Sequence, residues 1–178
     1  MYDSRSIDLL VVDDDEEFRS TMARMFLRRG FQVQEAASGE DALSAAQRRD
    51  FHVAILDMKM PGLCGVDLLQ KFKEQHAECE LIVLTGQGTI ETAVQAMKQG
   101  AYDFLTKPFP LKKLERLIEM AYERGQLRKE NVRLRALLER SQPKSEMVGQ
   151  SPPMKEVFRL IERAGPSDKA ILIQGESG

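Results

Sequence analysis

Leu9-Leu10-Val11-Val12-Asp13-Asp14-Asp15 decides how the rest of the chain reads. A short apolar run bounded by polar residues has the length of a buried strand, and a strand buried on both faces belongs to a parallel sheet. Two more runs end the same way: Val53-Ala54-Ile55-Leu56-Asp57, and Tyr102-Asp103-Phe104-Leu105-Thr106-Lys107-Pro108. A fourth, Leu81-Ile82-Val83-Leu84-Thr85, closes on a hydroxyl with Gly86 behind it. In an open α/β sheet, ligands and chemistry gather beyond the carboxyl ends of the strands. The acids, the lysine and Thr85 should therefore meet at one place.

Outward from these runs, strand-like and helix-like stretches alternate five times. Strands are expected near 8–13, 31–35, 52–57, 80–85 and 102–105. Helices are expected near 16–29, 39–48, 65–75, 89–98 and from 110 onward. Strict alternation with short connections predicts an α/β fold. The preferred form is a flavodoxin-like (βα)5 doubly wound parallel sheet of order 2-1-3-4-5 with an extended C-terminal helix. Ser38 should cap a helix that carries Glu40 and Asp41 in its first turn. Gly30 and Gly100 should end helices, and Pro110 suits the first turn of the last one.

The bulk figures agree with a soluble globular chain. There are 178 residues, 42% hydrophobic and 30% charged, with a net charge of −2. The charge is uneven. Residues 1–122 hold 15 Lys and Arg against 20 Asp and Glu, whereas residues 123–145 hold 7 against 3. The basic stretch reads as a solvated helix face rather than a nucleic-acid surface. No apolar stretch is long enough to span a membrane and the N-terminus lacks an apolar signal core, so no membrane partner and a cytoplasmic location are expected. Cys64 and Cys79 lack metal-ligand spacing and read as reduced thiols.

Past residue 122 the helical pattern continues. A heptad frame places Leu117, Arg124, Asn131 and Leu138 at one seam position and Met120, Leu127 and Leu134 at the other. A lone seam Asn favours parallel pairing and fixes register, so residues 123–145 are read as a coiled-coil linker of a homodimer, rather than a helix packed only on its own domain. Gly125 weakens the helix and is a candidate bend. Ser141-Gln142-Pro143-Lys144-Ser145 ends it.

Asp57 is the candidate nucleophile, since a carboxylate can accept a phosphoryl group as an acyl phosphate. Two anions repel, and Mg2+ bridging carboxylate and phosphate oxygens offsets this. Asp13 and Asp14 supply the acidic pocket, Lys107 a fixed positive charge and Thr85 a hydroxyl. Taken singly, these residues read as a charged helix start, a surface lysine and a strand-end hydroxyl. Together, at successive strand ends, they form a constellation.

That constellation resembles the receiver domain of bacterial response regulators over about residues 7–122. The resemblance rests on Val11-Val12-Asp13-Asp14, Asp57-Met58-Lys59-Met60-Pro61-Gly62, Thr85-Gly86 and Lys107-Pro108-Phe109. It implies phosphorylation of Asp57 by a sensor histidine kinase. It also implies direct metal binding by Asp14, water-mediated binding by Asp13, and a third ligand in the Lys59 backbone carbonyl. Phe104 falls where the family keeps its switch aromatic, and the Lys107–Pro108 bond is expected to be cis.

The tail adds a second resemblance. Met147-Val148-Gly149-Gln150-Ser151 and Ile171-Leu172-Ile173-Gln174-Gly175-Glu176-Ser177-Gly178 are similar to the opening of the AAA+ module of sigma-54-dependent activators. Residues 146–178 would then be the truncated start of an ATPase domain, with a helix near 152–163 and a strand at 170–173. Gly175, Glu176, Ser177 and Gly178 would be the incomplete start of its nucleotide loop, without the Walker lysine. ATP, sigma-54 RNA polymerase and DNA would be ligands of the longer protein only. Two alternatives remain. One is a stand-alone receiver acting by protein contact. The other is a phosphohydrolase of the haloacid dehalogenase type, which wants an Asp where Lys59 stands.

Overall fold

In the computed structural model, the described residues are 7–63, 65–86, 90–141 and 151–165. The chain divides into two compact units, Met1–Leu137 and Leu138–Gly178. The first holds five strands: β1 (Asp8–Val12), β2 (Gln32–Ala36), β3 (Val53–Asp57), β4 (Glu80–Thr85) and β5 (Asp103–Thr106). They form one parallel sheet of order β2-β1-β3-β4-β5, as the alternation predicts. The intervening helices are α1 (Glu16–Leu27), α2 (Gly39–Arg48), α3 (Gly65–Gln75) and α4 (Ile90–Lys98). The C-terminal α5 runs from Leu111 to Ser141.

Alternate residues of the central strands feed two cores. Leu10, Val12, Ala54, Leu56, Leu81 and Val83 face one side, with Phe72 of α3. Leu9, Val11, Val53, Ile55, Ile82 and Leu84 face the other, with Phe26 of α1 and Leu114, Ile118 and Ala121 of α5. Every residue of β3 and β4 is buried. That explains their unbroken apolar reading, because both faces are covered by helices.

The expected caps and helix-ending glycines act where the sequence puts them, whereas Pro110 and Gly125 do not. Ser38 caps α2 by accepting from the Asp41 N–H at 3.1 Å. Asp15 caps α1 in the same way, from the Phe18 N–H at 3.0 Å. Gly30 and Gly100 adopt φ of +87° and +90°, the left-handed region that a helix end needs and that costs Gly nothing. Pro110 stands one residue outside α5 and not in its first turn, with its carbonyl accepting the Lys113 N–H. Gly125 does not interrupt α5. It is buried, and its Cα faces the Glu80 side chain across the amino edge of the sheet.

In the second unit the described element is α6 (Pro152–Ala164), an amphipathic helix with Pro in its first turn and Val157, Leu160 and Ile161 exposed. The strand expected at 170–173, the linker end at 142–150 and Cys64 lie outside the described residues. Cys79 is a free, buried thiol, its pKa pushed up to about 12 by burial. Among the described residues no helix is long and apolar enough to cross a membrane.

Candidate phosphoryl-acceptor site

Parallel strands end in register, and that register builds the site. Val12 pairs with Leu56 and Asp57 with Leu84, so Asp13 and Asp57 leave the sheet side by side. Thr85 pairs with Thr106, which sets Lys107 at the same rim. The Lys107 N–H then donates to the Thr85 carbonyl at 2.7 Å. The Lys107–Pro108 peptide is cis.

The Lys107 ammonium bridges the two acids. Its Nζ lies 2.6 Å from Asp13 Oδ2 and 2.9 Å from Asp57 Oδ1. The remaining oxygens are also committed. Asp13 Oδ1 accepts the Asp15 N–H at 3.0 Å, and Asp57 Oδ2 accepts the Lys59 N–H at 2.8 Å. Both carboxylates are buried, 2% and 5% exposed. Burying a charge is costly unless it is paired, and here one cation serves two anions. Burial pushes the Asp13 carboxyl above the ordinary range, against the opposing pull of Lys107 and the Asp15 N–H. For Lys107, burial alone would depress the ammonium. The hydrogen bonds to Asp13 and Asp57 outweigh it and raise the pKa.

The acidic run divides its labour. Asp13 points into the site, Asp15 caps α1, and Glu16 and Glu17 occupy its first turn. Asp14 is exposed, as is the Lys59 residue. Thr85 is buried at the end of β4. Phe104 is half-buried on β5 and packs against the α3-side core. Asp13, Asp57 and Lys107 are thus in direct contact, with Thr85 tied to Lys107 through the backbone.

Two neighbours escaped the sequence reading. The Phe18 ring of α1 lies 4.2 Å from Lys107 Nζ. Arg19 donates to the Asp13 carbonyl at 2.7 Å and pairs with Glu35. Both lie in the first turn after the acidic run, where an aromatic and a basic residue read as ordinary helix faces.

The described residues hold no convergent set of three carboxylate, imidazole or thiolate ligands. What the rim offers is hard oxygen: two buried carboxylates in contact through a cation, and the exposed Asp14. Such donors suit a hard divalent ion that keeps several waters.

Comparison with known proteins places this geometry. Residues 9–119 match the response regulator receiver domain. The chain is 36% identical over 173 residues to the nitrogen assimilation regulatory protein NtrX of Azorhizobium caulinodans, covering 96% of this chain and 37% of that protein. It is 33% identical to the DNA-binding transcriptional regulator NtrC of Salmonella typhimurium, covering 94% of this chain and 35% of that one. Among solved structures, NtrX from Brucella abortus in complex with ATP superposes with a TM-score of 0.70 at 35% identity, over 91% of this chain and 35% of that chain. A receiver domain protein from Clostridium thermocellum gives 0.65 at 32%, over 68% of this chain and 98% of its own. The chain thus spans little more than a third of the length of the curated relatives it matches. A parallel sheet of order 2-1-3-4-5 with two acids and a lysine joined at its carboxyl rim, and a family match across that whole sheet, give one conclusion: the chain belongs to the response regulator receiver domain family, a signalling module.

Proposed function

We propose that this chain is the regulatory part of a longer two-component transcriptional activator, switched by phosphoryl transfer from a sensor histidine kinase to Asp57. The observation that carries the reading is the Lys107 ammonium held between Asp13 and Asp57. An Asp57 oxygen would form the O–P bond while the P–N bond of a phosphohistidine breaks, the imidazole nitrogen keeping the electron pair. Lys107 then exchanges a carboxylate contact for a phosphoryl oxygen and contributes charge, not a proton. The buried Thr85 hydroxyl offers a further donor. Asp13, Asp14, Asp57 and the Lys59 carbonyl would hold Mg2+, which supplies charge neutralisation between the two anions when bound.

Thr85 and Phe104 would read out the phosphorylated state, since Thr85 ends β4 at the acceptor rim and Phe104 stands on the paired strand β5, which leads into α5. On this reading the parts would be a receiver over 1–122, a linker over 123–145 and the start of an AAA+ domain over 146–178, and the receiver match over residues 9–119 supports the first of them. Sigma-54 polymerase, DNA and ATP would be engaged by the longer protein, in the cytoplasm. The linker would pair in parallel with a second copy. α5 buries Leu114, Ile118 and Ala121 on its own domain, whereas Leu127 and Leu134 are 66% and 52% exposed, with Asn131 exposed between them and Leu138 beyond.

Intact mass after treatment with acetyl phosphate and Mg2+ tests the first part. One phosphoryl group is expected, and none on Asp57→Asn; equal labelling of that variant would overturn the assignment. Sedimentation tests the second. The chain should be dimeric at tens of micromolar, by order of magnitude, and monomeric with Leu127→Asp plus Leu134→Asp. A double variant that stays dimeric removes the linker as the pairing element.

A further inference from the structure

Phe18, in the first turn of α1, packs partly buried against the core and also faces the acceptor site. Its N–H is held by the Asp15 cap, and its ring packs edge-to-face on Phe109, with centroids 6.4 Å apart at 88°. The cap holds the backbone of Phe18 at the start of α1, and Phe109 packs against its ring. Its face meets the Lys107 ammonium at 4.2 Å. The ammonium is therefore bounded on one side by Asp13 Oδ2 and Asp57 Oδ1 and on another by a π face.

We infer that Phe18 is a positioning residue for Lys107: its ring holds the ammonium at the acceptor carboxylate and so sets the rate at which Asp57 takes a phosphoryl group. The inference rests on the reading of Asp57 as phosphoacceptor. The chemistry argues for a ring rather than another polar group. A lysine on a four-carbon stem is a mobile point charge. A carboxylate placed to restrain it would compete with the incoming phosphoryl oxygens for its hydrogens. The negative face of an aromatic ring attracts the cation without directional hydrogen bonds, and the attraction grows where water is excluded. Lys107 can hand its hydrogens from Asp13 to a phosphoryl oxygen and keep the ring contact throughout. In that step the new bond runs from Asp57 oxygen to phosphorus, the donor's bond to phosphorus breaks, and the donor leaves with the electron pair. No proton moves through Lys107.

The alternative is that Phe18 only fills space against Phe109 and the α1-side core. Two measurements separate these roles. The first is the ring-current shift of the Lys107 ε-methylene protons by NMR. They should lie upfield of an ordinary lysine in the unmodified protein and in Phe18→Tyr, and return to ordinary values in Phe18→Leu. The second is the rate of labelling by acetyl phosphate with Mg2+. Phe18→Leu should be slower by roughly three- to tenfold, and Phe18→Tyr within about twofold of the unmodified protein. In a Lys107→Met background, Phe18→Leu should cost nothing further, because the cation it restrains is gone. An unshifted Lys107, a Phe18→Leu rate equal to that of the unmodified protein, or the same loss with and without Lys107 would each overturn the inference. If the unmodified protein takes no label while its Lys107 protons are shifted, the Asp57 reading falls and the rate claim with it, although the ring contact stands.

Discussion

Each end of the sheet buries acid against base, and the two ends do it differently. At the carboxyl end, Lys107 touches Asp13 and Asp57 at 2.6 and 2.9 Å. At the amino end, Glu80 opens β4 at 1% exposure and meets Lys73 of α3 and Arg128 of α5, each at 3.6 Å. Lys73 spends its closest contact on the Cys79 carbonyl at 2.6 Å, and Arg128 also donates to the Ala77 carbonyl. Glu80 Oε1 has no hydrogen-bond partner. One site has two acids sharing a single lysine whose ammonium contacts only carboxylates among the hydrogen bonds and ion pairs of the described residues. The other has one acid and two bases, each anchored elsewhere. The first suits a group that arrives and leaves. The second ties α5, beyond the last strand, to the edge of the sheet.

The difference can be broken by neutralising one acid at each end. Glu80→Ala should have the largest effect, about 2–3 kcal/mol of lost stability, because it strands a largely buried Lys73 next to Arg128. Part of the full penalty is relieved since the Arg128 side chain is 42% exposed. The urea midpoint should fall with an unchanged slope, and amides of residues 121–129 should exchange faster. Asp13→Asn should go the other way, a gain of about 1 kcal/mol, as expected where a functional site holds a charge at a cost. The two partners point opposite ways, since burial raises the Asp13 pKa while Asp13 and Asp57 together raise that of Lys107; Asp57 still holds the ammonium in the variant, so relief of the buried Asp13 carboxylate decides the sign. A carboxyl that binds its proton more tightly when folded loses stability as pH rises past the ordinary Asp value, and an amide has no such loss. Falling midpoints for both variants would show that the acceptor rim is a structural ion pair like the one at Glu80.

The sequence made one of these ends far more legible than the other. Asp13 and Lys107 are 94 residues apart, yet the rule that strands in a parallel sheet end on one rim brings them together. The rule works because β3 and β4 are buried on both faces and cannot slip register without exposing apolar side chains. Which of Asp13, Asp14 and Asp15 turns inward was not legible from composition, because one residue of rotation separates a site acid from a helix cap. Phe18 was hidden for a similar reason: an aromatic in the first turn of an amphipathic helix reads as core. Glu80 was hidden by distance. It stands at the edge of an apolar run, where a charge reads as solvated. Its burial arises because α5 continues past it and lays Gly125 and Arg128 against that edge.

The smallest expected effect tests the amino end by pH. His52 directly precedes β3, and its Nδ1 accepts the Asp8 N–H at 3.0 Å, which places the ring proton on Nε2. The ring stands edge-on to Tyr122 of α5, with centroids 4.9 Å apart. Protonation would break the bond from Asp8 and put a third cation beside Arg49 and Lys129. Burial first, then Lys129 and Arg49, hold the His52 pKa below its ordinary 6.5, against the pull of Asp50. The Asp8 carboxylate, 3.5 Å from Nδ1, offers little relief because Arg49 already pairs with it. The unfolded chain therefore binds this proton first as pH falls. The contribution of neutral His52 is complete above pH 6.5 and is lost as pH drops through the lower folded value. His52→Gln keeps an acceptor for the Asp8 N–H and cannot titrate. Between pH 7.5 and 5.5 the unmodified protein should lose on the order of half a kcal/mol more than this variant. Parallel stability curves for the two proteins would mean that the proton finds its own counter-charge at this end. The amino rim would then be as adaptable as the acceptor rim, and the contrast between a fixed clamp and an exchangeable one would fail there first.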